Sequence, residues 1–160
     1  MNIQPRPYDH PDAVKLEEEV QQEYIERYDG QGDTTPLDPT MFRPPGGLFL
    51  IAYDERERPV ATGAWRSQDE NGEGYADGDA EIKRMYVRPE SRGLGLARRI
   101  LALLEDDARA AGRRRMVLET GTQQPEAIGL YLSCGYTPTE KFGHFREYED
   151  SRCFAKPLGR

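Results

Sequence analysis

The stretch Met85-Tyr86-Val87-Arg88-Pro89-Glu90-Ser91-Arg92-Gly93-Leu94-Gly95-Leu96-Ala97 decides how this chain is read. An apolar run over residues 80–87 predicts a strand, which Pro89 stops. Two glycines then turn the chain directly into a helix over residues 95–111. Such a junction leaves the first N–H groups of the helix without partners and facing one point, with the positive end of the helix dipole behind them. That is a cradle for an anion, most naturally a phosphate, although the same two glycines also suit a merely tight strand-to-helix connection. Arg-Gly-x-Gly is not the dinucleotide fingerprint, and no Gly-Lys-Ser/Thr follows it as a phosphate-binding Walker loop requires.

Outward from this turn, Leu96, Ile100, Leu103, Leu104, Ala108 and Ala111 form the helix's apolar stripe, Arg98, Arg99, Asp106 and Arg109 its wet side, and Gly112 its end. A strand over 116–120 follows, then a short helix opened by Pro125 and closed by Gly135, then two strands over 136–141 and 152–156. Upstream, residues 2–8 read as an edge strand. A helix from Pro11, with Asp9 as N-cap, carries Ala13, Leu16, Val20, Tyr24 and Tyr28 on one face and ends near Asp29-Gly30. Residues 31–47 are a long loop with one helical turn at 39–42, and residues 48–53 and 59–66 form a hairpin. The order β-α-loop-β-β-β-α-β-α-β-β predicts an α/β (α+β) fold with a mixed sheet, as one domain over residues 1–160.

At 160 residues the chain is long enough to bury a core without disulfides or metals, and Cys134 and Cys153 form neither a disulfide framework nor a zinc-spaced cluster. No metal is expected. No run approaches the roughly 18 apolar residues of a membrane span, and Met1 to Tyr8 lacks the apolar core of a secretory signal, so no membrane partner and a cytoplasmic location are the expectations. The net charge of −7 lies within the first forty residues, which hold three basic and ten acidic side chains. Residues 83–115 reverse this, with ten basic against four acidic, which suits a local anionic ligand or simply a solvated helix face. A chain with pI near 5.0 and no nucleic-acid-binding motif is not expected to bind nucleic acid.

Arg92-Gly93-Leu94-Gly95-Leu96-Ala97 resembles the R/Q-x-x-G-x-G/A signature of the GNAT superfamily of acyl-CoA-dependent N-acyltransferases. Ala127-Ile128-Gly129-Leu130-Tyr131-Leu132-Ser133-Cys134-Gly135-Tyr136 resembles the family's A-x-x-L-Y-x-x-x-G-F/Y segment, one helix and one strand further on. The resemblance implies a mostly antiparallel central sheet flanked by helices, with acetyl-CoA as cosubstrate. It implies that the backbone of Met85, Tyr86 and Val87 pairs with the pantetheine arm. The turn from Arg92 through Gly93, Leu94, Gly95, Leu96 and Ala97 would then offer N–H groups to the pyrophosphate, with Arg88 and Arg98 assisting through their side chains. Gln124 stands where many members carry an asparagine that contacts the cofactor. A homodimer is common in the family.

Acetyl transfer from a thioester to an amine needs a neutral nitrogen, a site for the oxyanion and a proton for the departing sulfur. Tyr131 matches the family tyrosine that supplies this proton; packing is the alternative. Glu81 matches a strand position where some members place the general base, and its alternative is a surface or substrate-orienting carboxylate. Cys134 reads as a packed residue rather than an acylated nucleophile, since no base is legible beside it. The acidic first helix and the acidic residues 69–79 favour a cationic acceptor, and Phe142, His144, Phe145 and Tyr148 are candidates for its walls. The leading expectation is transfer of acetyl to a primary amine of a small molecule. A non-catalytic acyl-CoA sensor and a protein or peptide amino-group acetyltransferase are the alternatives.

Overall fold

The computed structural model describes residues 1–28 and 36–159. Strand β1 (Asn2–Pro5) leads into helix α1 (Pro11–Tyr28), and a 3-10 turn (Pro39–Phe42) precedes the hairpin of β2 (Gly47–Tyr53) and β3 (Pro59–Gln68). Strand β4 (Asp79–Val87) runs through a second 3-10 turn (Pro89–Ser91) into α2 (Leu96–Ala110). Then follow β5 (Arg115–Gly121), α3 (Pro125–Ser133), β6 (Thr137–Pro138) and β7 (Ser151–Pro157). The end expected at Asp29-Gly30, the loop over residues 31–35 and the packing of the Tyr28 side chain lie outside the described residues.

All seven strands form one sheet in the order β1-β2-β3-β4-β5-β7-β6. Every pair is antiparallel except β4 with β5, which α2 connects as a crossover. That parallel pair is short, joining only Asp79, Ala80 and Glu81 to Arg115, Met116 and Val117. Beyond Glu81 the two strands splay apart. A bulge sets the bend: Arg84 and Met85 together stand opposite Gly63, and Arg84 takes a left-handed φ of 59°. Gly63 is required there, because a Cβ would lie 2.4 Å from the Ile100 side chain of α2 and 2.6 Å from Met85 Sδ.

Alternation along the strands makes two cores. Ala80, Ile82, Met116 and Leu118 pack under Ile100, Leu101 and Leu104 of α2, while Phe49, Ile51, Ala64 and Tyr86 face Ala13, Leu16 and Val20 of α1. A third cluster on the α1 side holds Tyr75, Val117, Phe142 and Cys153.

Several local readings are corrected. Leu103 is 43% exposed and Leu101 takes its place in the core, so the buried stripe of α2 is rotated from the expected one. Asp9 does not cap α1; His10 Nδ1 accepts the N–H of Asp12 at 3.1 Å instead. The strand expected over 136–141 shrinks to Thr137–Pro138, since Pro138 has no N–H for a ladder.

Candidate active site

The open half of β4 and the turn after it form one side of the site. Past Glu81 the β5-facing edge of β4 has no strand beside it, so Met85, Tyr86 and Val87 lie on an unpaired edge. Gly95 takes φ 76° as the N-cap of α2, a left-handed conformation that only glycine adopts without strain. This turns the N–H groups of Gly93, Leu94, Gly95, Leu96, Ala97 and Arg98 outward, and none of them donates to another backbone group among the described residues. The N–H of Arg92 closes the preceding turn onto Pro89 O at 3.3 Å, so the open row begins at Gly93. A cavity of about 200 Å³ lies over this row, bordered by Val87, Arg98 and Leu130.

The arginine side chains of β4, its turn and α2 each have protein partners. Arg88 forms an ion pair with Glu19 at 2.6 Å, and this guanidinium holds the Glu19 carboxyl below the usual range. Arg92 bonds Glu23 at 2.9 Å and the Val87 carbonyl at 2.9 Å. Arg84, buried by the bulge, meets Glu17 at 2.6 Å. Three acidic residues of α1 therefore neutralise three arginines of β4 and its turn. Arg98 reaches across to Ser133 Oγ and Cys134 Sγ, tying α2 to α3.

Glu81 is the last residue of β4 that pairs with β5, and its side chain lies on the α1 side, opposite Ala80 and Ile82 as alternation requires. It is 4% exposed. Its Oε1 accepts from Arg66 Nε at 2.7 Å and Gln68 Nε2 at 3.1 Å, and its Oε2 from the Tyr75 hydroxyl at 2.9 Å. Burial, then the Glu81 charge, pushes the Tyr75 phenol upward, so it remains a donor. The 139–150 loop closes over this network: Gly143 N–H bonds Glu73 O at 2.8 Å, and Phe142 packs on Tyr75 at 5.0 Å. With three donors on its oxygens and 4% exposure, Glu81 is the centre of a buried network. Phe142 is a core residue, whereas His144, Phe145 and Tyr148 form an edge-to-face group nearer solvent.

Tyr131 comes from α3, beneath the splay. Its ring packs edge-on against Tyr136 at 5.8 Å, and the residue is 6% exposed. Burial, with Cys134 and Glu119 adding negative potential, pushes the phenol above its ordinary value, so the proton is retained. Gln124 is the N-cap residue of α3, and its carbonyl accepts from Ala127 and Ile128 while its side chain makes no cap bond.

The sequence reading passes over Arg66, Tyr75 and Glu119. Arg66 is legible only through the register that sets it opposite Glu81, and Tyr75 only through the tertiary fold that brings its hydroxyl to the same carboxylate. Glu119 carries a faint signal, as a charge within the otherwise apolar Met116-Val117-Leu118 run.

Residues 13–136 match the acetyltransferase (GNAT) family. The chain is 34% identical over 146 residues to the IAA acetyltransferase of Azospirillum brasilense, spanning 91% of this chain and 90% of that protein. A Klebsiella pneumoniae structure provisionally named as an acyl-CoA N-acyltransferase superposes with a TM-score of 0.77 at 26% identity, over 99% of this chain and 97% of that one. A phosphinothricin acetyltransferase of Sinorhizobium meliloti, solved with acetyl-CoA, shares the fold with a TM-score of 0.66 at 19% identity, over 99% and 90%. Sequence and architecture agree along almost the whole length, and the chain belongs to the GNAT family of N-acetyltransferases.

Proposed function

We propose that this protein transfers the acetyl group of acetyl-CoA to a primary amine of a small molecule, by direct attack within a ternary complex. The observation that carries the reading is the splay of β4 from β5. In a closed sheet the two faces are walled off from each other; here β4 parts from β5 beyond Glu81, and in this reading the Tyr131 hydroxyl serves the gap from the α3 side. The row of N–H groups from Gly93 to Arg98 fits a pyrophosphate, and the bare edge of Met85 to Val87 fits an extended amide-bearing arm, as a strand fits a sheet edge.

Acetyl-CoA supplies an activated acyl carbon as a substrate. A C–N bond forms there, the C–S bond breaks, and the sulfur takes a proton, for which Tyr131 is the donor. The N–H proton that the new amide loses restores the phenol. Closure of the 139–150 loop onto Glu73 through Gly143 and Arg146 narrows the acceptor side, which suits a small amine such as an amino acid, a polyamine or an antibiotic-like molecule.

The test is release of free thiol from acetyl-CoA against amines ranging from amino acids through polyamines and aminoglycosides to short peptides. Turnover with a small amine is the expected result. Turnover confined to peptides makes this a protein or peptide acetyltransferase, and cofactor binding without turnover makes it a sensor; either overturns the proposal.

A further inference from the structure

Resting on that function, we infer that Tyr75 is a positioning residue for the acceptor, whose hydroxyl, anchored on Glu81, holds the 139–150 loop in the place that admits a small amine. The anchor is one buried carboxylate that ties together segments far apart in the chain. At Oε1, Arg66 donates from Nε at 2.7 Å and reaches on through Nη1 to the Pro36 carbonyl at 3.3 Å and to Met41 Sδ at 3.1 Å, which secures the segment around the first 3-10 turn. At Oε2 the Tyr75 hydroxyl donates at 2.9 Å, from a residue 5% exposed. The charge on the acceptor makes this one of the stronger kinds of hydrogen bond.

The loop is fitted to that hydroxyl. A Cβ on Gly143 would lie 2.7 Å from Tyr75 Oη and 3.8 Å from Glu81 Oε2, so the loop backbone touches the pair directly. The contact is reciprocal, since a Cβ on Gly74 would lie 2.7 Å from the Lys141 carbonyl oxygen and 3.0 Å from Phe142. Phe142, 1% exposed, packs its ring on Tyr75 at 5.0 Å, while Glu73 accepts the Gly143 N–H at 2.8 Å on its carbonyl and the Arg146 guanidinium at 3.2 Å on its carboxylate. The loop also carries the group of His144, Phe145 and Tyr148, so the same contact sets where those rings stand. Tyr75 and Phe142 belong to the small third cluster, outside the two cores that hold α1 and α2 to the sheet. The contact can therefore be loosened while the sheet and the turn into α2 stand.

The test uses the full chain, acetyl-CoA and an amine that the wild type acetylates. Tyr75→Phe removes only the hydroxyl and keeps the ring under Phe142, and Gly143→Ala presses on the same contact from the loop side without altering Glu81 or its donors. Each variant should raise the KM for the amine roughly 10-fold, with kcat and calorimetric acetyl-CoA affinity nearly unchanged. Hydrogen exchange should accelerate within residues 139–150 and not in α2. A bulkier amine should lose less rate than a small one, because the released loop makes room for it. A lower Tm with wild-type KM in both variants would reduce Tyr75 to a structural role and overturn the inference, as would wild-type exchange in the loop. A fall in kcat at unchanged KM with an altered pH profile would place Tyr75 in the proton path and overturn it as well. The absence of thiol release by the wild type with any amine would instead remove the function on which the inference rests, and the inference with it.

Discussion

In the proposed reaction Tyr131 supplies the proton for the departing sulfur from a single hydroxyl. Removing that oxygen leaves the ring packed on Tyr136, so Tyr131→Phe should lower kcat by roughly 10²-fold while acetyl-CoA affinity, measured calorimetrically, stays at the wild-type level. Because burial raises the phenol from its ordinary 10.0, the acidic proton is present throughout the neutral range, and no loss of rate from its ionisation should occur below that value. Glu81 behaves in the opposite sense. Its partner Arg66 is buried with it, side chains 9% and 5% exposed, so Glu81→Gln leaves an uncompensated cation in the interior. We expect a stability loss of about 3–5 kcal/mol, read as a lower midpoint in chemical denaturation. A variant that lost activity at unchanged stability would return Glu81 to the role of base.

At the scale of elements, the strand-turn-helix unit of β4 and α2 builds the proposed anion cradle from backbone alone. Gly95→Ala tests it: nothing lies within 4 Å of the added Cβ, so the effect is conformational. Strain in the left-handed region should lower stability by about 1 kcal/mol and weaken acetyl-CoA binding as the turn relaxes, both measurable by thermal and calorimetric titration. This unit is legible in sequence because its signals are local: a proline stop, two glycines and a helical stripe. The 3-10 turn at Pro39–Phe42 and the hairpin are legible for the same reason. What depends on distant partners is not. Glu105 looks like part of a wet helix face, yet it is buried because Tyr136 and Lys156, 31 and 51 residues away, bring it a hydroxyl at 2.7 Å and an ammonium at 3.0 Å. The partners of the acidic face of α1 are hidden in the same way, since only the tertiary fold sets Glu17, Glu19 and Glu23 against Arg84, Arg88 and Arg92.

Across the whole molecule, the sheet is two blocks, β1 to β4 and β5 with β7 and β6, joined by three residue pairs. A substrate that lies along the bare edge of β4 binds the native state alone, so acetyl-CoA at a hundredfold excess over its Kd should stabilise the fold by about 2.7 kcal/mol. For a chain of this length that is a rise in Tm of roughly 5–10 °C, measurable by scanning calorimetry, and an unchanged Tm would place the ligand elsewhere. The same three pairs have a mechanical meaning. Tension applied between β1 and β7 crosses the ladders β1-β2, β2-β3, β3-β4, β4-β5 and β5-β7 in series, and the fewest paired residues hold the fourth of these. Stretched in that way, the protein should tear first along the line where it works, and the cargo it carries for its chemistry would be the stitch that resists the tear.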